Sequence, residues 1–293
     1  MHDSYRERWP DYLVRCIAQQ NFVCVVGSGV SSSCKNSAGD RPPNWHMLIS
    51  ELTRELLTSD RKIRKVTALL RNRNYLDAAE LLRYYADEAG RAQDFTHGIV
   101  ARVESPDDPY QPGEWHDEIL RLDPLTVVTT NFDNILERAT ASGFGVHLPD
   151  ARKIDVEVRS GAPIIIKMHG SVAHREDMVL CRSDFARVRQ SSSHMLAVMH
   201  ALFLTRTCLF IGYSLDDPDM QLVLENVLGA RAIKPAHFLL GPQNPSPNRK
   251  ALFESAYGVT PIEYKADDHD EGLLTLRALA DRVEERRVAL VAR

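Results

Sequence analysis

Four short stretches carry the residue types that chemistry needs, and they lie far apart in the chain. They are Gly27-Ser28-Gly29 with Ser31 just beyond, Asn131-Phe132-Asp133, Lys167-Met168-His169-Gly170-Ser171, and Gly212-Tyr213-Ser214-Leu215-Asp216-Asp217. A glycine turn lets backbone N–H groups approach phosphate oxygens with no Cβ in the way. The full dinucleotide fingerprint would put a third glycine at position 32, where this chain has Ser32. A histidine such as His169 can take a proton near neutral pH. Asn131 offers a donor and an acceptor at the two ends of its amide, and Asp133 offers a negative charge. Each has a plainer reading beside it. Asn131, Asp133, Ser214 and Asp217 are all good helix caps, and one histidine among eleven is commonly a surface or satisfied core residue.

The elements in front of these stretches decide what they have in common. Each follows an apolar, β-branched run: 22–26, 124–130, 164–166 and 207–211. Unbroken runs of this kind read as strands buried on both faces. Two more strands are expected at 236–240 and 259–264. Helical periodicity appears at 5–20, 45–57, 134–141, 184–204, 219–228 and 271–288. Short apolar strands separated by helices predict an α/β fold with a doubly wound, mostly parallel, Rossmann-like sheet. Ligands of such sheets sit outside the carboxyl ends of the strands, which is where all four clusters fall. Residues 61–121 break the alternation. Val66, Leu69, Leu70, Leu76, Leu82, Phe95 and Ile99 keep helical spacing with no strand among them, so a helical insertion is expected, with a connecting loop at 105–113. The expected organisation is 1–60 and 123–293 for the sheet domain and 61–122 for the insertion.

Composition narrows the classes. A chain of 293 residues with 44% hydrophobic content can bury a sizeable core. Its net charge of −4 gives no general surface for nucleic acid. The first residues, with acids, bases and Pro10, lack the apolar core of a signal peptide. The apolar stretch 195–212 is interrupted by His200 and Arg206, so no membrane span is expected. Five scattered cysteines with no Cys-x-x-Cys pair suit reduced thiols, and hence a cytoplasmic protein.

Taken together and in order, VVGSGVS, TTNFDNILE, IKMHGS and FIGYSLDDPDM resemble the sirtuin-like domains of bacterial anti-phage defence proteins. These are relatives of the NAD-dependent protein deacylases, and the resemblance runs from about Phe22 to about Tyr264. Two departures set the chain apart from the deacylases. Their zinc module, with two Cys-x-x-Cys pairs, has no counterpart, because residues 35–180 contain no cysteine. Their Gly-Ile-Pro-x-Phe-Arg loop is replaced by Arg41-Pro42-Pro43-Asn44-Trp45. Both departures favour hydrolysis over acyl transfer.

The resemblance implies an NAD hydrolase that releases nicotinamide and ADP-ribose and depletes NAD in abortive infection. NAD would be the substrate, with no metal. Nicotinamide departs as a neutral group, so the protein must supply a stabilised oxocarbenium-like ribose and a positioned water or base. Asn131, Asp133 and His169 are the candidate catalytic residues. Gly27, Ser28, Gly29, Ser31, Gly170, Gly212 and Ser214 are the candidate cofactor-binding residues, with the first glycine turn on the pyrophosphate and Gly212 and Ser214 on the adenosine ribose or a phosphate oxygen. Rival readings are a zinc-less protein deacylase and a non-catalytic sensor or scaffold for NAD or ADP-ribose. With nearly the whole length spent on one fold, no separate sensor domain is expected. A homo-oligomer is expected, acting with a partner such as a ring-forming P-loop ATPase of the DNA-translocase type or an Argonaute-like protein, and without direct contact to nucleic acid or membrane. The insertion and the charged face of the last helix, including Glu284-Glu285-Arg286-Arg287, are the expected contact surfaces.

Overall fold

A computed structural model describes residues 2–141, 143–148, 153–191, 193–230, 237–243 and 246–291. The apolar runs become strands β1 (Phe22–Val26), β2 (Thr126–Thr129), β3 (Gly145–His147), β4 (Ile164–Lys167), β5 (Thr207–Ile211), β6 (His237–Pro242) and β7 (Val259–Tyr264). They form one sheet in the order β3-β4-β2-β1-β5-β6-β7, and every pairing is parallel. The fold is therefore α/β and Rossmann-like. Residue 236, the expected start of β6, lies outside the described residues.

In chain order the described helices begin with α1 (His2–Arg6), α2 (Asp11–Ala18), α3 (Ser28–Ser31), α4 (Trp45–Leu56), α5 (Asp60–Arg71), α6 (Tyr75–Glu88), α7 (Ala92–Glu104) and α8 (Glu114–Arg121). They continue as α9 (Ile135–Ala139), α10 (Ile154–Ser160), α11 (Arg182–Ser191), α12 (Ser193–Thr205), α13 (Pro218–Gly229), α14 (Pro247–Ala256) and α15 (His269–Val291). The single helix expected over 5–20 is interrupted. Pro10 stands extended at the start of α2, because its ring clashes with a continuing turn and it has no N–H to donate.

Alternation along the strands divides the core in two. Val23, Val25, Val128, Ile164, Ile166 and Phe210 point to one face, where α11, α12 and α13 cover them. Phe22, Cys24, Val26, Val127, Ile165 and Ile211 point to the other, against α2, α8 and α15. The apolar side of α15 is used here, with Leu276, Leu279 and Val283 fully buried. Its charged end is also engaged within the chain. Glu284 pairs with Arg121, Glu285 with Arg6, and Arg287 donates to the carbonyls of Ile17 and Leu122.

A third cluster belongs to α4–α7, which pack on one another through Leu48, Leu52, Val66, Leu82, Phe95 and Ile99. The same cluster takes in Phe132, from the turn after β2, and Val172, Met178 and Leu180, from the segment after β4. The helical layer is thus anchored on the carboxyl end of the sheet. The packing does not follow the sequence division at residue 61: α4 joins the helical layer, whereas α8 packs on α15. All five cysteines are free and buried, and burial raises the Cys24 thiol to about 12 and the Cys34 thiol to about 11. These thiols are inert core groups. No described helix is long and apolar enough to cross a membrane.

Candidate active site

Strand register alone gathers the four clusters. Val26 of β1 is level with Thr129 of β2 and with Ile211 of β5, and Thr129 is level with Lys167 of β4. One or two residues beyond that line stand Gly27, Asn131, His169 and Gly212 on a single edge of the sheet. The chain crosses from β4 on one side of β1 to β5 on the other, so the site lies at the topological switch point.

The turn after β2 is pinned by its middle residue. Phe132 inserts into the helical layer, its ring 5.9 Å from that of Trp45 in an edge-on arrangement. Asn131 and Asp133, on either side, meet Ser31 instead. Asn131 Nδ2 donates to Ser31 Oγ at 3.0 Å, and Ser31 Oγ donates to Asp133 Oδ2 at 2.8 Å. Asp133 Oδ1 accepts from the N–H of Ile135 at 3.1 Å, so Asp133 also caps the start of α9. The backbone of Asn131 is held too, its N–H donating to Thr129 Oγ1 and that hydroxyl donating to the carbonyl of Val26. Ser31 was expected beside the cofactor. It is buried within this network, and the residues around it, Ser28, Gly29, Val30, Ser32 and Ser33, face the open cleft.

Lys167, the last residue of β4, has no solvent exposure. Its ammonium group donates to the carbonyls of Phe132 and Asp133 and to Glu137 Oε1, the last at 2.7 Å. Three N–H groups meet three acceptors, as a buried ammonium requires. Two of those acceptors belong to the turn that carries Asn131 and Asp133.

His169 is buried, with 7% exposure. Its ring stands edge-on to Phe185 at 5.0 Å and lies 6.4 Å from Phe132. Nε2 is 3.0 Å from Asp217 Oδ2, an ion-pair distance without hydrogen-bond alignment. Burial pushes the imidazole toward its neutral form, but the Asp217 charge outweighs it and holds His169 above its ordinary value. Gly170 packs in the following turn against the backbone of Asp177. Asp217 was read in the sequence as a helix cap, and it is one: Oδ1 accepts from the N–H of Met220 at 2.8 Å. Its other oxygen faces the histidine.

The first glycine turn is tied to the loop after β5. The N–H of Gly27 donates to the carbonyl of Ile211, and that of Gly29 to the carbonyl of Gly212 at 2.9 Å, so both serve loop-to-loop contact. A Cβ on Gly27 would lie 2.3 Å from the Gly212 oxygen. Gly212 has φ of +62°, and a Cβ there would meet the backbone nitrogen of Val30 at 2.6 Å. Gly212→Ala is expected to destabilise the fold by at least the ~1–2 kcal/mol of a left-handed backbone, since the opposing atom is main chain and cannot swing away. A lowered midpoint in chemical denaturation is the check, and an unchanged midpoint would contradict this packing.

Beside these loops opens a cleft of about 550 Å³. Ser28, Gly29, Gly212, Ser214 and Asp216 form one wall; Phe253, Pro261, Tyr264 and Trp115 supply apolar surface; Arg41, Arg73, Arg249 and Lys250 bring positive charge. Arg249 also braces the loop, donating to the Ser214 carbonyl at 2.8 Å. In the sequence Arg41 stands out only as part of the segment that replaces the deacylase loop, and Arg73, Arg249 and Lys250 do not stand out, because Arg73 lies in a turn and α14 carries no clear amphipathic signal. The cleft wall does not include Asn131, Asp133 or His169. Two loops join the regions: 28–31 has Ser28 on the cleft and Ser31 on the polar cluster, and 212–217 has Ser214 on the cleft and Asp217 on His169.

Comparison with known proteins adds to this geometry. Residues 125–262 match the family model of the SIR2-like domain, a span that holds Asn131, Asp133, His169 and Asp217. The defense-associated sirtuin 2 of Bacillus subtilis is 26% identical over 206 residues, which is 69% of this chain and 19% of that protein. NAD(+) hydrolase ThsA of Bacillus cereus strain MSX-D12 is 23% identical over 220 residues, 73% of this chain and 41% of the relative. NAD(+) hydrolase ThsA of Cytobacillus dafuensis is 24% identical over 218 residues, 73% and 39% of the two chains. The chain spans less than half the length of these relatives.

Proposed function

Residues 125–262 carry a SIR2-like domain, and on that premise we propose that the chain is an NAD glycohydrolase that cleaves the bond between nicotinamide and ribose. The observation that carries this reading is the pair of shared loops. Each presents one end to a cleft suited to a dinucleotide and the other to a buried set of Asn, Asp, Ser and His. The cleft fits the adenosine and pyrophosphate half of NAD, with Arg41, Arg73 and Lys250 for the phosphates and the Trp115, Phe253 and Tyr264 rings for the base. The nicotinamide ribose would then reach toward Asn131 and His169. Asn131 would hold a water or ribose hydroxyl through its amide oxygen, its nitrogen being bonded to Ser31. Asp133 would add negative charge near the cationic ribose. His169 would take the proton.

ADP-ribose and nicotinamide as products, depletion of NAD in anti-phage defence, a cytoplasmic location and assembly with itself or a partner all belong to this proposal. The names of the relatives support NAD hydrolysis and a role in defence, and five cysteines without a disulfide suit the cytoplasm. Incubation of the purified protein with NAD, with and without an acetyl-lysine peptide, is the test. NAD should be consumed without the peptide; intact NAD, or consumption only alongside deacylation, would overturn the reading. Arg41→Ala should raise KM for NAD about tenfold with kcat near wild type, because it removes one charge-assisted contact far from the reacting bond.

A further inference from the structure

We infer that Asp217 is a positioning residue for His169, its carboxylate turning the ring so that Nδ1, and not Nε2, takes the proton. The reaction it serves is the NAD hydrolysis proposed above. Nε2 is buried, and it faces Asp217 Oδ2 at 3.0 Å. Asp217 is itself fixed, because Oδ1 accepts from the Met220 N–H at the start of α13 and Pro218 follows at the first helical position. The histidine cannot turn freely either, with Phe185 edge-on at 5.0 Å and Phe132 at 6.4 Å.

The surrounding charges single out Asp217. Asp219, on α13, also acts on His169, but it is paired at 2.6 Å with Arg189 of α11. The Tyr213 hydroxyl, on the same loop, is held neutral by burial. The elements on the other sides present the aromatic rings of Phe132 and Phe185. When Nδ1 takes a proton from a ribose hydroxyl or the attacking water, the imidazolium that forms is balanced by the Asp217 carboxylate. The proton on Nε2 stays where it is, and no electron changes hands. On this arrangement a serine at position 217 would satisfy Met220 and leave the imidazolium unbalanced.

Asp217→Asn tests this with little cost to the fold, since asparagine caps helices as well as aspartate does. The His169 imidazole is titrated by NMR, its signal assigned by absence in His169→Gln. Its midpoint should fall in Asp217→Asn, because removing the carboxylate disfavours the charged ring. In parallel, the rising limb of kcat against pH should move to lower pH, kcat on the plateau should drop by about 100-fold, and KM for NAD should stay close to wild type. Asp217→Ser should behave in the same way, which keeps the test available if one variant folds poorly. An unchanged His169 midpoint in a variant that melts like wild type would overturn the inference. The NMR arm needs no turnover, so it decides the pairing even if the protein proves not to consume NAD.

Discussion

Replacement of His169 or Asn131 by alanine is expected to lower NAD consumption by about 100- to 10,000-fold, the range that positioned acid–base groups contribute. Neither residue is a solvent-exposed loop side chain: both are 7% exposed. His169→Ala therefore removes a base and also a ring packed between Phe132 and Phe185, and it leaves Asp217 without the imidazole it faces. His169→Gln is the better probe of chemistry, because it fills more of the space and has no basic nitrogen. Asn131→Ala removes the donor to Ser31 and the amide oxygen, while Phe132 still anchors the turn in the helical layer. Both variants should unfold cooperatively, somewhat below wild type, with turnover falling far more than stability. NAD consumption followed alongside thermal unfolding separates the two effects. A folded His169→Ala protein that consumes NAD at the wild-type rate would remove this residue from the mechanism.

The legible part of this molecule is the part governed by strand periodicity and chain-order motifs. β1, β2, β4 and β5 announce themselves because parallel strands buried on both faces are mostly apolar or β-branched, and the edge strand β7 shows through Val259, Ile262 and Tyr264. The glycine and polar residues that end them are conspicuous against that background, and the register then places Gly27, Asn131, His169 and Gly212 together. β3 escaped because Gly145–His147 is short and lies at the sheet edge with two of its three residues exposed. α10 and α14 escaped for a related reason: short helices that cover one patch of a sheet need only a few apolar residues, too few to set a period.

Within the site, residue type was readable and partnership was not. Asp217 looks like a cap and is one, and nothing in the sequence reveals that its second oxygen meets His169. Ser31 follows a glycine turn and is a candidate cofactor-binding residue in the sequence, and α3 turns its hydroxyl inward to Asn131 and Asp133. The cations of the cleft come from two connecting segments and from α14, with Arg41 and Lys250 more than two hundred positions apart, and only the tertiary fold makes them neighbours. A turn free of Cβ atoms admits any close backbone, and here the neighbour that comes close is the loop after β5.

Lys167→Met is expected to have the largest effect on stability, about 3 kcal/mol, the low end for breaking a buried ion pair from one side, because the ammonium is buried and the Glu137 side chain is 20% exposed. Methionine matches the lysine stem in length, so the loss is not one of volume. It strands the Glu137 carboxylate, whose second oxygen already lacks a partner, and the carbonyl of Asp133, while the carbonyl of Phe132 keeps the Val172 N–H. A double variant, Lys167→Met with Glu137→Leu, removes both charges and should regain much of the stability, because an apolar replacement of a buried pair is often close to neutral. It cannot regain the two carbonyl contacts, which hold the turn bearing Asn131 and Asp133. Turnover should therefore remain low in the double variant even as its melting temperature rises. Chemical denaturation and NAD consumption on the same preparations read the two effects separately. If Lys167→Met is as stable as wild type, the buried ammonium is not the strut described here; if the double variant recovers turnover along with stability, the strut serves the fold alone and not the placement of Asn131 and Asp133.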